Sequence, residues 1–195
     1  MKFLILDNYD SFVYNLAQIF GELNIIINVV RNDQITLKKI KLNNYDAIII
    51  SPGPGTVENK KDFGICNQVI YNVGKSIPIL GICLGHQGII KCFGGQINIA
   101  KNILHGKTSV IEHYNDPIFN DVSNPFNGTR YNSLIGNKTQ IPNTLKIIAR
   151  SKDDDEIMGI SHRKLLIKGI QFHPESIMTT EGKKILKNFV LLVRK

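Results

Sequence analysis

The sequence predicts an α/β fold, a single domain over residues 1–195 with a central, mostly parallel mixed sheet flanked by helices and a nucleophile elbow on one strand. Two observations carry that expectation. Residues 3–93 alternate apolar β-type runs with helix-type periodicity, the pattern of repeated βα units. Beyond residue 96 the helices largely stop and strand patterns separated by Gly/Pro/Asn-rich loops take over, which makes the sheet mixed.

Taken in order, Phe3–Asp7 is an apolar strand with an acidic end, followed by Asp10 or Ser11 as the cap of a helix. Phe12, Leu16, Ile19, Phe20 and Leu23 recur at helical spacing along it. Ile25–Val30 is a strand and Leu37–Leu42 a short helix. Asp46–Ile50 is unbroken apolar sequence, as in strands buried on both faces of a parallel sheet. Ser51-Pro52-Gly53-Pro54-Gly55 then forbids regular structure. A helix is expected over residues 62–73, a strand over 77–82, and a helix from Leu84 to Phe93 stopped by Gly94-Gly95. Strands follow at 96–100, 107–112, 145–151, 157–162 and 166–172, and a helix over 180–193 closes the chain. Ligands of such sheets gather at the carboxyl ends of the strands, where Asp7-Asn8, Ser51–Gly55, Cys83 and His173 all fall.

Composition narrows the function classes. Hydrophobic residues make up 43% and charged residues 21% of the 195, enough apolar material for a full core. No apolar run approaches the roughly 18–20 residues of a membrane span, and the N-terminal segment lacks the features of a signal peptide. Three cysteines argue against a disulfide framework and for a reducing compartment, the cytoplasm or a plastid stroma. The net charge of +8 comes from scattered lysines in a chain rich in Ile, Asn and Lys. No basic block and no aromatic-basic interleaving supports nucleic-acid binding.

Gly81-Ile82-Cys83-Leu84-Gly85 has the form of a nucleophile elbow with cysteine in place of serine. Glycines two before and two after the nucleophile let strand and helix approach, and the N-terminus of the following helix favours a thiolate. The Leu84 N–H is placed as one oxyanion-hole donor. Gln171-Phe172-His173-Pro174-Glu175 supplies a base and its orienter, since residues two apart in extended chain share a side. Gly55 offers a second oxyanion donor on the Ser51–Gly55 loop. The alternative is a tight turn around an inert cysteine, with Glu175 solvated. His86 is expected to be a structural group with its hydrogen bonds satisfied, while His105, His113 and His162 read as loop or strand-end residues; none forms a metal-ligand pattern.

The motifs GICLGHQ, SPGPGT and GIQFHPES, in this spacing, resemble the class I (triad) glutamine amidotransferases. LDNYDSFVYNL at residues 6–16, HGKTS at 105–109 and EIMGISHR at 156–163 are similar to the glutaminase subunits of anthranilate synthase and aminodeoxychorismate synthase. The resemblance runs from Lys2 to about Phe189. It implies that Cys83 attacks the glutamine amide, that His173 and Glu175 complete the triad, and that Gly53, Pro54, Gly55, Gln87, Ser133 and Leu134 hold glutamine. It also implies a chorismate-binding synthase subunit as partner, anthranilate synthase component I or aminodeoxychorismate synthase component I, to receive the ammonia. No cofactor is expected in this chain, and Mg2+ is expected on the partner. Two positions depart from the usual pattern: Asn132 stands where that family carries histidine, and Gly88 where it carries alanine. Asn132 puts in doubt any role for that imidazole in partner signalling or pH response.

Overall fold

Side chains alternate across a strand, and the first strand shows what that does here. In β1 (Lys2–Asp7), Phe3 and Ile5 enter one core while Leu4 and Leu6 enter another on the opposite face of the sheet. The computed structural model describes residues 1–195. After β1 come α1 (Val13–Glu22), β2 (Ile26–Arg31), α2 (Leu37–Leu42) and β3 (Ala47–Ile50). Two short helices, α3 (Lys60–Phe63) and α4 (Cys66–Asn72), precede β4 (Ile79–Ile82) and α5 (Leu84–Cys92). The second half comprises β5 (Ile97–Ile99), β6 (Lys107–His113), β7 (Phe126–Arg130), β8 (Leu134–Gly136), β9 (Leu145–Ser151), β10 (Ile157–His162), β11 (Ile167–Ile170) and α6 (Gly182–Val193).

Nine strands form one sheet in the order β2-β1-β3-β4-β11-β10-β9-β6-β7. The run from β2 to β11 is parallel, and the remaining pairings are antiparallel. β5 and β8 make a separate antiparallel pair. One face is covered by α1 and α6, where Phe3 meets Phe20 edge-on at 5.6 Å and Phe189 at 6.3 Å. The other is covered by α2 to α5 through Ile40, Phe63, Val69, Ile89 and Ile90. β3, β4 and β11 are buried along their whole length; β3 and β4 therefore read as unbroken apolar runs, while β11 carries Lys168, whose buried ammonium pairs with Asp116 at 2.7 Å.

Three details differ from expectation. Neither Asp10 nor Ser11 is the residue capping α1; Phe12 holds that position, half exposed, and its N–H donates to the Asp10 carboxylate at 3.1 Å. The helix expected over 62–73 is two helices, broken at Gly64, whose φ of 49° is outside helical geometry. Strands β7 and β8 fall in a stretch that carries no strand pattern.

Candidate active site

Cys83 makes the turn between β4 and α5 alone, with φ 51° and ψ −101°. A non-glycine residue in that region carries about 1–3 kcal/mol of strain, which the surroundings must impose. They do so through two backbone bonds: the Cys83 N–H donates to the Ile170 carbonyl at 2.9 Å, and the Cys83 carbonyl accepts from Gln87 N–H at 3.1 Å. The flanking glycines make the bend possible. A Cβ on Gly81 would run into the backbone of Gly85, and one on Gly85 into the carbonyl of Ile50. Leu84 is the first residue of α5, so its N–H has no carbonyl one turn earlier to bond.

His173 follows β11 and is fixed by its backbone. Its N–H donates to the Thr129 carbonyl at 2.9 Å, and its own carbonyl accepts from the Thr179 hydroxyl at 2.6 Å. Its ring Nδ1–H donates to Glu175 Oε1 at 2.6 Å, with both side chains buried. Nε2 makes no hydrogen bond within the chain. The edge of the Tyr131 ring packs against the imidazole at a centroid distance of 4.9 Å. Burial alone would hold His173 neutral, but the negative charges of Cys83 and Glu175 outweigh it and raise the imidazole well above its usual range. Asp10 stands behind this pair; burial, then the charge of Glu175, push its carboxyl up to about 6.

A cavity of about 190 Å³ opens beside Cys83, lined by Gly53, Pro54, Gly55, Leu84 and Gln87 on one side and by His105 and Tyr131–Leu134 on the other. Cys83, Gly53, Pro54, Gly55, Gln87, Ser133 and Leu134 thus line one cavity, while His173 faces Cys83 in a neighbouring one and Glu175 lies behind it. The loop before α3 is clamped: Thr56 N–H donates to the Asp62 carboxylate at 3.0 Å, and Gly55, at φ 86°, lies so close that a Cβ would collide with it. The N–H groups of Gly53 and Gly55 make no hydrogen bond to the chain and remain available to a ligand. Across the cavity, the Ser133 carbonyl accepts from Ala100 N–H at 2.8 Å. The Leu134 carbonyl accepts from Gln87 Nε2 at 2.9 Å and from Asn132 Nδ2 at 3.1 Å.

Asn132 is tied in turn to a buried charge cluster. Its Oδ1 accepts from Arg130 Nε at 3.1 Å, while the guanidinium pairs with Asp154 at 2.9 Å and with Glu156. The residue that departs from the usual histidine is therefore a non-titrating strap between that cluster and the Leu134 carbonyl. Four neighbours of the site escaped the sequence analysis as site residues: Tyr131 and His105 on the cavity wall, Asp10 behind the His173–Glu175 pair, and Gln171, whose Nε2 lies 3.5 Å from Cys83 Sγ. Gln171 stands two residues before His173, Asp10 lies in the turn after β1, and His105 opens the HGKTS motif, whereas Tyr131 carried no signal of its own.

A second cavity, of about 270 Å³, reaches Cys83 and His173 from the other side, between Tyr9–Phe12 and the Pro52–Pro54 segment. No group of three His, Cys, Asp or Glu side chains is placed to hold a metal ion. No helix is long and apolar enough to cross a membrane.

Residues 4–193 match the family described as glutamine amidotransferase class-I. The chain is 52% identical over 188 residues to the anthranilate synthase component 2 of Cyanophora paradoxa, covering 96% of this chain and 97% of that protein. It is 46% identical over 192 residues to the aminodeoxychorismate/anthranilate synthase component 2 of Bacillus subtilis, covering 98% and 97%. Among solved structures, a glutamine amidotransferase from Thermotoga maritima superposes with a TM-score of 0.80 at 16% identity, over 99% of this chain and 97% of that one, a likeness of fold. A family match over nearly the whole chain, joined by identities of 52% and 46% to full-length relatives, means that the chain belongs to the class I glutamine amidotransferases.

Proposed function

We propose that this chain is the glutaminase subunit of an anthranilate synthase, hydrolysing glutamine to glutamate and passing the ammonia to a chorismate-binding partner. The observation that carries the chemistry is the strained turn at Cys83, which sets the sulfur at a helix N-terminus beside the buried His173–Glu175 pair. Cys83 thiolate adds to the side-chain amide carbon of glutamine, and the oxyanion is met by the N–H groups of Leu84 and Gly55. His173 Nε2 protonates the departing nitrogen as the C–N bond breaks, leaving a glutamyl thioester and free ammonia. His173 then takes a proton from water, whose oxygen attacks the thioester to release glutamate and restore the thiolate. Glu175 holds the imidazole through Nδ1 and stabilises its charged form. Gly53, Pro54, Gln87, Ser133 and Leu134 line the space for the rest of glutamine.

Ammonia released into water would be lost, so the reaction calls for a partner at the mouth of the site. The exposed apolar side chains of Tyr9, Phe12, Ile177 and Met178, close to His173 and Glu175 in sequence or in the cavities they share, suit such a contact. Any Mg2+ needed for chorismate chemistry is assigned to that partner. The Bacillus subtilis relative, named for both synthases, supports a second role with an aminodeoxychorismate-forming partner.

Reconstitution with candidate synthase subunits tests this function. Cys83→Ser is expected to abolish glutamine-dependent product while ammonia-dependent product persists in the complex. Equal loss of both activities would contradict the division of labour between the subunits.

A further inference from the structure

Gln171 is completely buried and is hydrogen-bonded both to the nucleophile and to Gln87, a residue of the cavity wall. Gln171 Nε2 donates to Cys83 Sγ at 3.5 Å, an ordinary length for N–H···S. Its Oε1 accepts from Gln87 Nε2 at 3.2 Å, and the second hydrogen of that Gln87 amide goes to the Leu134 carbonyl at 2.9 Å. A backbone carbonyl cannot exchange donor for acceptor. The chain of bonds therefore fixes both amides, and the group turned to the sulfur is the Gln171 NH2.

We propose that Gln171 is a further catalytic residue, a non-titrating donor that stabilises the Cys83 thiolate and, through Gln87, ties the sulfur to the substrate-lining carbonyl of Leu134. Unlike His173, this donor has no proton to lose, so it serves the sulfur equally before and after His173 has protonated the leaving nitrogen. The other ionisable groups around Cys83 are His105 and Tyr131, which share its substrate cavity, Tyr9 and Asp10, which share the second cavity with it, and Glu175 behind His173. All of these stay unchanged in the variants that test Gln171. The proposal rests on Cys83 being the nucleophile.

The test is the pH dependence of Cys83 alkylation by iodoacetamide, followed on the Cys83 peptide of the full chain by mass spectrometry. It is paired with glutaminase kcat and KM in the reconstituted complex. Gln171→Met removes the donor at similar volume, and Gln171→Glu puts a carboxylate in its place. The alkylation midpoint is expected to rise by about one pH unit in Gln171→Met and further in Gln171→Glu. The kcat of the Met variant is expected to fall about tenfold, with KM for glutamine changing less than about threefold. Gln87→Met, which frees the Gln171 amide to turn, moves the midpoint the same way and keeps the test available if position 171 does not tolerate change. Coincident midpoints in wild type and variants, with activity still lost on alkylation of Cys83, would overturn the role of Gln171 alone. Full glutaminase activity after complete alkylation of Cys83 would overturn the nucleophile assignment and this proposal with it.

Discussion

At the scale of single residues, the three cysteines differ by environment. Burial pushes up the thiols of Cys66 and Cys92, and Cys66 is further occupied in donating to Asn8 Oδ1 at 3.3 Å. Both are poor nucleophiles for that reason. His86, one turn into α5, is fully enclosed, with neither ring nitrogen hydrogen-bonded, and burial lowers it to about 4. Its folded-state pKa lies below the unfolded value near 6.5, so the unfolded chain binds the extra proton first. The contribution to stability is then intact above pH 6.5 and lost as pH falls toward 4, to a total of roughly 3 kcal/mol. Replacing His86 by Leu should flatten the acid limb of the stability profile by about that amount, measured as the wild-type-minus-variant difference in urea unfolding from pH 7 to pH 4. Asp10 slopes the other way in the same window but is present in both proteins, so it cancels. A constant difference across that range would show that His86 does not titrate on unfolding.

Between elements, the packing of α5 on α3 explains one departure from the usual family pattern. A Cβ at Gly88 would collide with the ring of Phe63, so the glycine accommodates a large aromatic side chain at the end of α3. Gly88→Ala should gain up to about 1 kcal/mol in helix propensity yet destabilise the protein by about 1–3 kcal/mol through overpacking. Adding Phe63→Leu should recover part of that loss. Denaturant unfolding of the two singles and the double closes the cycle, and strictly additive effects would rule out this contact as the cause.

The same scale shows where sequence was legible. β3 and β4, and the Phe3–Leu6 centre of β1, announced themselves because each is apolar and buried on both faces. β7 did not, because Phe126-Asn127-Gly128-Thr129-Arg130 has neither alternation nor β-branched density. It forms because β6 pairs with it residue for residue and because Gly128 lets Ile111 and Phe172 close over it. Gly64 ended a helix that periodicity alone carried through, its backbone held against Asn32.

For the whole molecule, the order β1-β3-β4-β11 in the parallel half places four strand ends side by side, and the site is built from the loops and turns leaving those ends. Local motifs made Cys83, His173 and Glu175 legible, since elbow and pair are each short in sequence. Gln171 touches Cys83 across 88 positions of chain, and Tyr131 and His105 reach the cavity from the antiparallel half. Only tertiary structure places these.

The central claim is that Cys83 alone among the cysteines forms a covalent bond with the glutamine side chain. A diazoketone analogue of glutamine, incubated with the complex and mapped by peptide mass spectrometry, tests it most directly. One label per chain is expected, on the peptide carrying Cys83, formed in step with loss of glutaminase activity and slowed by glutamine. Labelling at Cys66 or Cys92, or inactivation with Cys83 unmodified, would contradict it.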